Sequence, residues 1–178
     1  MKRQAMQVLS EIFNAGRVRR WHSNPDMSWT DDYNDAHQGR VARILLALHP
    51  EPSALLLAAA LTHDDGELEA GDMNRNVKNA NHELREMVRD LENQGRIKIW
   101  GAIPETFLSD KDKKWLHLAD RIDGQMWMLH KNPNLMKRND WIAERVAIEA
   151  LADALGVLSE VKEIYKITRR TLQGEGEH

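Results

Sequence analysis

Two histidines and two aspartates are the side chains of this sequence best suited to hold a metal ion. In chain order they are His37, the adjacent pair His63 and Asp64, and then Asp120. Two imidazoles and two carboxylates offer four donors to one divalent cation. Four protein ligands would close a tetrahedral zinc site, whereas an octahedral Mn, Co or Fe ion keeps two positions open for water and substrate. The residues therefore predict a divalent transition metal (Co, Mn, Fe or Zn), and catalysis favours the open arrangement.

Each of these residues also has a purely structural interpretation. A single inward histidine is more often a hydrogen-bonded core residue than a ligand, and a His-Asp dipeptide is common. Asp120 is harder to explain in this way, because an unpaired carboxylate among apolar neighbours is costly. Its helical neighbours are Leu116, Ala119, Ile122 and Trp127. A shared cation satisfies the four groups together.

The elements that must position these residues are predicted to be helices. Apolar residues up to Leu48 recur at the helical period and place the first histidine on an inward face, until Pro50 ends the helix. The apolar run Ala54 to Leu61 predicts a central helix surrounded by others, leading into the His-Asp pair. A long helix begins at Ser109 and carries the last aspartate.

The remaining chain follows the same pattern. Gly95 is predicted to end a polar helix from Asn79, and Ile97 to Ile103 to form a short strand or extended link. A C-terminal helical region is jointed at Gly156, with Val157, Val161, Ile164, Tyr165 and Thr168 on one face. Because no strand is convincing, we predict an all-α fold, a single-domain helical globule over residues 1–172, with a frayed tail at 173–178.

Composition excludes several classes of protein. The chain has 178 residues, a formal net charge of -3 and no cysteine, so disulfides and thiol nucleophiles are absent and no overall basic field gathers DNA or RNA. The longest apolar stretch is about half of what a bilayer crossing requires. We therefore expect a cytoplasmic protein that binds neither nucleic acid nor membranes.

The order His, His-Asp, Asp resembles the HD-domain phosphohydrolase superfamily, which has an all-α fold. Neighbouring residues resemble its 5′-deoxynucleotidase branch, over a region from about Arg17 to Asp123. They are Arg20-Trp21, the run His63-Asp64-Asp65-Gly66-Glu67, Gly71-Asp72 and Val77-Lys78. Within that branch, Phe13-Asn14-Ala15-Gly16 and Arg20-Trp21-His22 look closest to phage dATP triphosphohydrolases associated with diaminopurine-containing genomes.

The resemblance implies a role for each matching residue. The metal ligands would be His37, His63, Asp64 and Asp120, with Asp64 and the acid/base carboxylate Glu67 as the catalytic residues. Arg20, Lys78 and, with a weaker match, Arg19 would contact phosphate; Trp21 would pack on the deoxyribose, and Asp72 would lie near the sugar or a second metal. Alternatively, Glu67 is a solvated side chain and Trp21 a core anchor.

Three functions follow as hypotheses. The main one is a metal-dependent triphosphohydrolase that converts dATP to deoxyadenosine and triphosphate, with metal-activated water attacking the α-phosphate. Spare acids at Glu67, Glu69 and Asp72 favour it, because a triphosphate carries charge that a second cation such as Mg neutralises. The alternative is a 5′-deoxynucleotidase acting on deoxynucleoside monophosphates. A non-catalytic helical binding module is more distant.

The resemblance also implies a small-molecule deoxynucleotide as partner, a homo-oligomer, and the host cytoplasm if the chain is phage-encoded.

The sequence departs from the family pattern around the first histidine, in Asp35-Ala36-His37-Gln38. The loop Ser23 to Asp35 belongs to this sequence alone and is a candidate for base selection. Its consecutive acids, Asp31 and Asp32, have the plainer interpretation of solvent-facing charge.

Overall fold

The computed structural model describes residues 2–172. In that range every regular secondary-structure element is a helix, apart from one isolated β-bridge. The α-helices are α1 (Lys2–Gly16), α2 (Asn34–Leu48), α3 (Ala54–Ala60), α4 (Glu67–Ala70), α5 (Arg75–Ala80), α6 (His82–Trp100), α7 (Asp110–Lys131), α8 (Asn139–Leu155) and α9 (Leu158–Leu172). Short 3-10 helices cover Pro104–Phe107 and Pro133–Lys137. The all-α prediction is confirmed, and the tail predicted to fray at 173–178 lies outside the described residues.

The chain divides into two compact units. The first comprises the chain up to Ala42 together with Ser53–Leu108, and the second comprises Arg43–Pro52 together with the chain from Ser109 onward. Helix α2 contributes residues to both. The prediction of a single domain over residues 1–172 stays a prediction.

Two glycines allow α6 to lie very close to the segment that leads into α4. A Cβ atom on Gly66 would be 2.0 Å from the carbonyl oxygen of Glu92, and one on Gly95 would be 3.2 Å from Gly66 Cα. No side chain fits at Gly66, since real Cβ atoms do not approach backbone atoms this closely. The distance at Gly95 is tighter than most Cβ contacts, so a side chain there would force its neighbours to shift. Helix α6 is therefore packed directly against the turn that follows α3.

The same contact explains where the sequence analysis was wrong about α6. Gly95 does not end this helix, and no strand or extended link begins at Ile97, because α6 continues to Trp100. Gly95 is buried against Gly66, so its lack of a side chain serves packing. The helix ends instead at Gly101, whose φ of +74° is the left-handed conformation typical of a helix C-terminus.

Helix α3 is less enclosed than its composition indicates. Leu56, Ala59 and Ala60 are buried, but Leu55 and Leu61 are 38% and 49% exposed. The prediction of a helix surrounded on every side is therefore wrong. An alanine-rich apolar run does not show by itself which faces will find partners.

The second unit is built on α7, which packs against α8 and α9. Trp115, Leu118, Ile122 and Met128 are buried along α7. The joint predicted at Gly156 is confirmed, because this residue has φ +78° and caps α8. Three residues of the face predicted for the C-terminal helical region are buried on α9, namely Val161, Tyr165 and Thr168. None of the described helices is long and apolar enough to cross a membrane.

Candidate active site

Three of the four predicted metal ligands face one another in the first unit. His37 Nε2 lies 3.2 Å from His63 Nε2 and 3.3 Å from Asp64 Oδ2, and His63 Nε2 lies 3.5 Å from Asp64 Oδ2. His37 is fully buried, as its place on the inward face of α2 predicts, and the other two side chains are mostly buried. Among the described residues, these three form the candidate metal-binding group.

The donor atoms of this cluster suit a divalent transition metal. Bonds of about 2.1 Å to one ion place neighbouring ligand atoms about 3.0 Å apart in an octahedron and about 3.4 Å apart in a tetrahedron. The three observed separations of 3.2, 3.3 and 3.5 Å lie close to this range. Two imidazole nitrogens and a carboxylate oxygen are also donors that Co, Mn, Fe and Zn accept. The residues present therefore fit the predicted class of ion.

Contacts with the backbone orient the second histidine of the cluster. The Nδ1 atom of His63 donates to the carbonyl oxygen of Ala60 at 2.9 Å. In the neutral form that binds a metal, a ring with its proton on Nδ1 would have its lone pair on Nε2, the atom that faces the cluster. Arg96 of α6 donates to the His63 carbonyl at 3.2 Å and also pairs with Glu105. Helix α6 thus holds the turn that carries the His-Asp pair.

Asp64 is ionised although it is largely buried. Burial would raise its pKa, but the charge of His63, a hydrogen bond from His37 and the charge of Arg20 outweigh this effect and hold the pKa well below its ordinary value of 3.8. The Arg20 Nη1 atom lies 2.6 Å from Asp64 Oδ2. An ionised carboxylate beside two imidazoles is the form that binds a cation.

Glu67 shows the opposite electrostatic behaviour. It is 6% exposed, and burial together with the negative charges of Asp64 and Asp72 raises its pKa well above the ordinary value of 4.5. Asn34 Nδ2 donates to Glu67 Oε2 at 3.0 Å and to the Asp64 carbonyl oxygen at 3.1 Å. The alternative of a solvated Glu67 is therefore wrong. A carboxyl with a raised pKa keeps its proton to higher pH, as a general acid requires.

The segment Arg20-Trp21 lies against the same cluster in an unusual conformation. Trp21 has φ +63°, the one positive φ among the non-glycine residues that the structure describes. This region is costly for a residue with a Cβ atom, so surrounding contacts must maintain it. Asp72 provides one such contact, because the Trp21 backbone N–H donates to Asp72 Oδ2 at 2.6 Å. The structure thus brings Arg20, Trp21 and Asp72 together beside Asp64.

Asp32 is a buried acid, so the plainer interpretation of solvent-facing charge is wrong for this residue. Its side chain is 1% exposed, whereas that of its neighbour Asp31 is 79% exposed. Asp32 accepts hydrogen bonds from Arg40 Nη2 at 2.9 and 3.0 Å and from Trp21 Nε1 at 3.3 Å. Nothing in the local sequence distinguishes the two acids, because the partners of Asp32 come from other segments.

Lys78 and Arg19, two predicted phosphate contacts, both have protein partners. Lys78 Nζ lies 3.5 Å from Glu92 Oε1. Arg19 Nη2 donates to the carbonyl oxygens of Ser28 and Thr30 at 2.9 and 3.2 Å. Their assignment to substrate binding stays a prediction.

Asp120, the predicted fourth metal ligand, belongs to the second unit. It lies on α7 and is half-buried, between residues such as Ala119 that are buried as predicted. Helix α7 begins after Ser109, whose side chain accepts a hydrogen bond from Asp112 N. The role of Asp120 as a metal ligand stays a prediction.

Two other buried polar residues beside the cluster were missed by the sequence analysis. Asn34 is fully buried, and its position three residues before His37 is a helical spacing that could have indicated it. Asp65 is 3% exposed and accepts hydrogen bonds from Gln38 Nε2 at 2.9 Å and Trp100 Nε1 at 2.8 Å. No sequence signal pairs Asp65 with Trp100, which is 35 positions away.

An all-α fold with a His, His-Asp cluster beside a buried glutamate is typical of metal-dependent phosphohydrolases of the HD class. A family model described as 5′-deoxynucleotidase YfbR-like matches residues 49–138, just over half of the chain. The chain therefore belongs to the YfbR-like 5′-deoxynucleotidase family. No curated protein and no solved structure matched it in the same comparisons.

The matched range includes only some of the predicted site residues. The matched range contains His63, Asp64 and Glu67, whereas Arg20 and His37 precede it. The resemblance to the HD-domain 5′-deoxynucleotidases is confirmed. The narrower resemblance to phage dATP triphosphohydrolases receives no support from the match.

Proposed function

We propose that this protein is a metal-dependent 5′-deoxynucleotidase that hydrolyses deoxynucleoside monophosphates to deoxynucleosides and phosphate. The observation that carries the proposal is the cluster of His37, His63 and Asp64, with the buried carboxyl of Glu67 next to it. Membership of the YfbR-like family supports the same chemistry. A core with no catalytic purpose has little reason to bury two acids of opposite protonation behaviour side by side.

The chemistry needs a divalent ion, and the residues that would hold it are His37, His63 and Asp64, with Asp120 as the predicted fourth ligand. Such an ion, when bound, would lower the pKa of water and withdraw charge from a phosphoryl oxygen. Arg20 adds a fixed positive charge within 2.6 Å of Asp64, which opposes the negative charge that develops during phosphoryl transfer.

Glu67 is the residue that we assign to proton transfer. Hydrolysis at phosphorus releases an alkoxide-like 5′ oxygen that must be protonated, and a carboxyl with a raised pKa can supply that proton. Asn34 fixes the orientation of Glu67 by donating to Oε2. The deoxynucleoside then leaves with its 5′ hydroxyl restored.

Trp21 and Asp72 are assigned to recognition of the sugar. Trp21 would pack against the deoxyribose, so that a 2′-hydroxyl meets the indole ring. Asp72 anchors the backbone of Trp21, which supports an indirect role for this acid. Lys78 completes the proposed contacts to phosphate.

Hydrolysis of dATP to deoxyadenosine and triphosphate is the second candidate. Two features of the sequence favour it, the resemblance to phage dATP triphosphohydrolases and the nearby acids that could be spare for a second cation. The family match gives the first no support, and each of the acids has a partner in the structure. Glu67 accepts from Asn34, Glu69 pairs with Lys98 at 3.2 Å, and Asp72 accepts from the Trp21 backbone. We therefore place the monophosphate activity first.

Product analysis tests the proposal directly. The wild-type protein, supplied with Co or Mn, is incubated with deoxy- and ribonucleotides at the mono- and triphosphate levels. We expect single phosphate from deoxynucleoside monophosphates, and a loss of at least about a hundredfold in kcat for Asp64→Ala. The matched control is Asp90→Ala, which removes an acid that is 66% exposed on α6.

The products separate the alternatives. Intact triphosphate released from dATP, with monophosphates untouched, would replace the nucleotidase by the triphosphohydrolase. No metal-dependent turnover of any nucleotide would favour the non-catalytic binding module.

A further inference from the structure

Asp32 connects the two residues proposed to contact sugar and phosphate to the helix that carries the first metal ligand. Its Oδ2 atom accepts from the Trp21 indole at 3.3 Å and lies 3.6 Å from Arg20 Nε. Its carboxylate also accepts two hydrogen bonds from Arg40 of α2. One carboxylate thus fixes three side chains from two segments of the chain.

The backbone around this carboxylate is held in register as well. The Arg20 N–H donates to the Asp32 carbonyl at 2.9 Å, and the Asn34 N–H donates to the Val18 carbonyl at 3.1 Å. These bonds flank the isolated bridge between Arg19 and Tyr33. The loop that carries Asp32 therefore cannot shift without moving the Arg20-Trp21 segment.

Trp21 needs such support more than an ordinary residue does. Its φ of +63° is strained for a side chain with a Cβ atom, and two acids hold it from two sides. Asp72 binds its backbone N–H and Asp32 binds its indole N–H. The backbone bond sets where the residue lies, and the indole bond sets the direction of the ring.

The orientation of the ring matters because an apolar wall alone discriminates poorly. A hydrophobic pocket rejects an added hydroxyl by only a modest factor, and a ring that can turn aside rejects it less. A ring held by a charged acceptor cannot turn without breaking its hydrogen bond to that acceptor. Arg40 holds that acceptor in place through its two hydrogen bonds to the carboxylate.

We propose that Asp32 is a specificity-determining positioning residue, which locks the Trp21 indole so that the site rejects the 2′-hydroxyl of ribonucleotides. The inference rests on the proposed function. Asp32 does not touch the substrate in this account and acts through Trp21.

The test compares Asp32→Asn with Asp31→Asn, the same chemical change at the adjacent exposed acid. The measured quantity is the ratio of kcat/KM for a deoxynucleoside monophosphate to that for its ribose counterpart. We expect Asp32→Asn to lower this ratio about tenfold, the scale of one charge-assisted hydrogen bond. Asp31→Asn should leave it within about twofold, because exposed ion pairs contribute little.

Trp21→Phe provides a second, independent variant. It removes the indole N–H but keeps an aromatic ring, so it should lower the ratio even if Asp32→Asn does not fold. In the double variant, Asp32→Asn should change the ratio no further, because its effect passes through the indole. In the NMR spectrum, the Trp21 indole N–H, assigned by its loss in Trp21→Phe, should exchange faster with solvent in Asp32→Asn.

The outcomes separate this inference from the proposed function. If wild type hydrolyses deoxynucleotides but Asp32→Asn and Trp21→Phe keep its ratio, the inference is overturned and the function stands. An equal loss of activity toward both sugars, with slow indole exchange retained, would make Asp32 merely structural. If wild type hydrolyses no nucleotide, the function and the inference fall together.

Discussion

Asn34 shows how a single buried amide prepares the candidate active site. It is fully buried and donates both to Glu67 Oε2 and to the carbonyl oxygen of Asp64. A buried carboxyl without a donor would rotate toward whatever polar group it could find, since an unsatisfied buried acceptor is costly. The amide therefore links the proposed proton donor to the backbone of a metal ligand.

Removing this amide should lower turnover without removing the metal. For Asn34→Ala we expect kcat for a deoxynucleotide to fall about 10- to 100-fold, the usual cost of losing a group that orients an active-site residue. KM and bound metal, measured by elemental analysis, should change little. Asn139→Ala, at an exposed position at the start of α8, is the control. Unchanged kcat in Asn34→Ala would remove Asn34 from the mechanism.

For single residues, the sequence was informative where the chemistry of the side chains themselves indicates a shared role. The order of His37, His63 and Asp64 was enough to predict that they meet, because one shared cation accounts for all three side chains at once. The burial of Asp32 could not be predicted, because burial of an acid depends on a partner, and its partner Arg40 is on the next helix. Residue type indicates which side chains can react, but it does not indicate which of two neighbouring acids is buried in the folded protein.

Helix α6 packs against the residue before α4 through a close contact that only glycine allows at position 66. Gly66→Ala would place a Cβ atom 2.0 Å from the Glu92 carbonyl oxygen, so backbone must move. We expect a loss of about 2–3 kcal/mol in the free energy of unfolding, as for an overpacked core. Gly39→Ala, inside α2 with no atom within 4 Å of the new Cβ, should instead gain about 0.5–1 kcal/mol. Urea denaturation measures both, and equal effects would contradict the packing account.

The pairing of α5 with α6 predicts a pH dependence. Burial raises the pKa of Glu92 above its ordinary value of 4.5, although Lys78 acts in the opposite direction. The folded protein therefore binds this proton more tightly than the unfolded chain, and its contribution to stability is lost as pH rises through the raised pKa. Glu92→Gln keeps a neutral group, so its stability relative to wild type should increase between about pH 4 and pH 7. Urea midpoints across that range test this, and a constant difference would refute it.

Helix boundaries illustrate what patterns miss at the element scale. Gly95 and Gly101 look alike in the sequence, yet the first is a packing residue and the second ends α6. The distinction depends on Gly66, which lies almost 30 positions earlier. By contrast, the end of α2 at Leu48 was predicted nearly to the residue, because Pro50 and the apolar spacing are local signals.

For the whole molecule, the sequence predicted the fold class, but nothing in it marks the division of the chain into two compact units. Apolar periodicity and the absence of convincing strands led directly to an all-α fold. The two compact units alternate along the chain, with Arg43–Pro52 interrupting the first, and no composition shift marks those boundaries. Assembly into a homo-oligomer stays a prediction.

Metal binding should stabilise the whole protein, and the size of the effect tests the fourth ligand. An ion present at a hundred times its dissociation constant stabilises the folded state by about 2.7 kcal/mol, which raises the Tm of a chain this long by about 5–10 °C. Thermal unfolding with Co or Mn, reversed by a chelator, should show this shift in wild type and not in Asp64→Ala. Asp120→Ala should reduce it, whereas Asp110→Ala, on the same helix with a side chain that is 98% exposed, should not. Loss of a true ligand must weaken metal binding to the folded protein, and weaker binding means a smaller rise in Tm. A full rise in Tm for Asp120→Ala would therefore remove Asp120 from the ligand set and leave the ion to His37, His63 and Asp64.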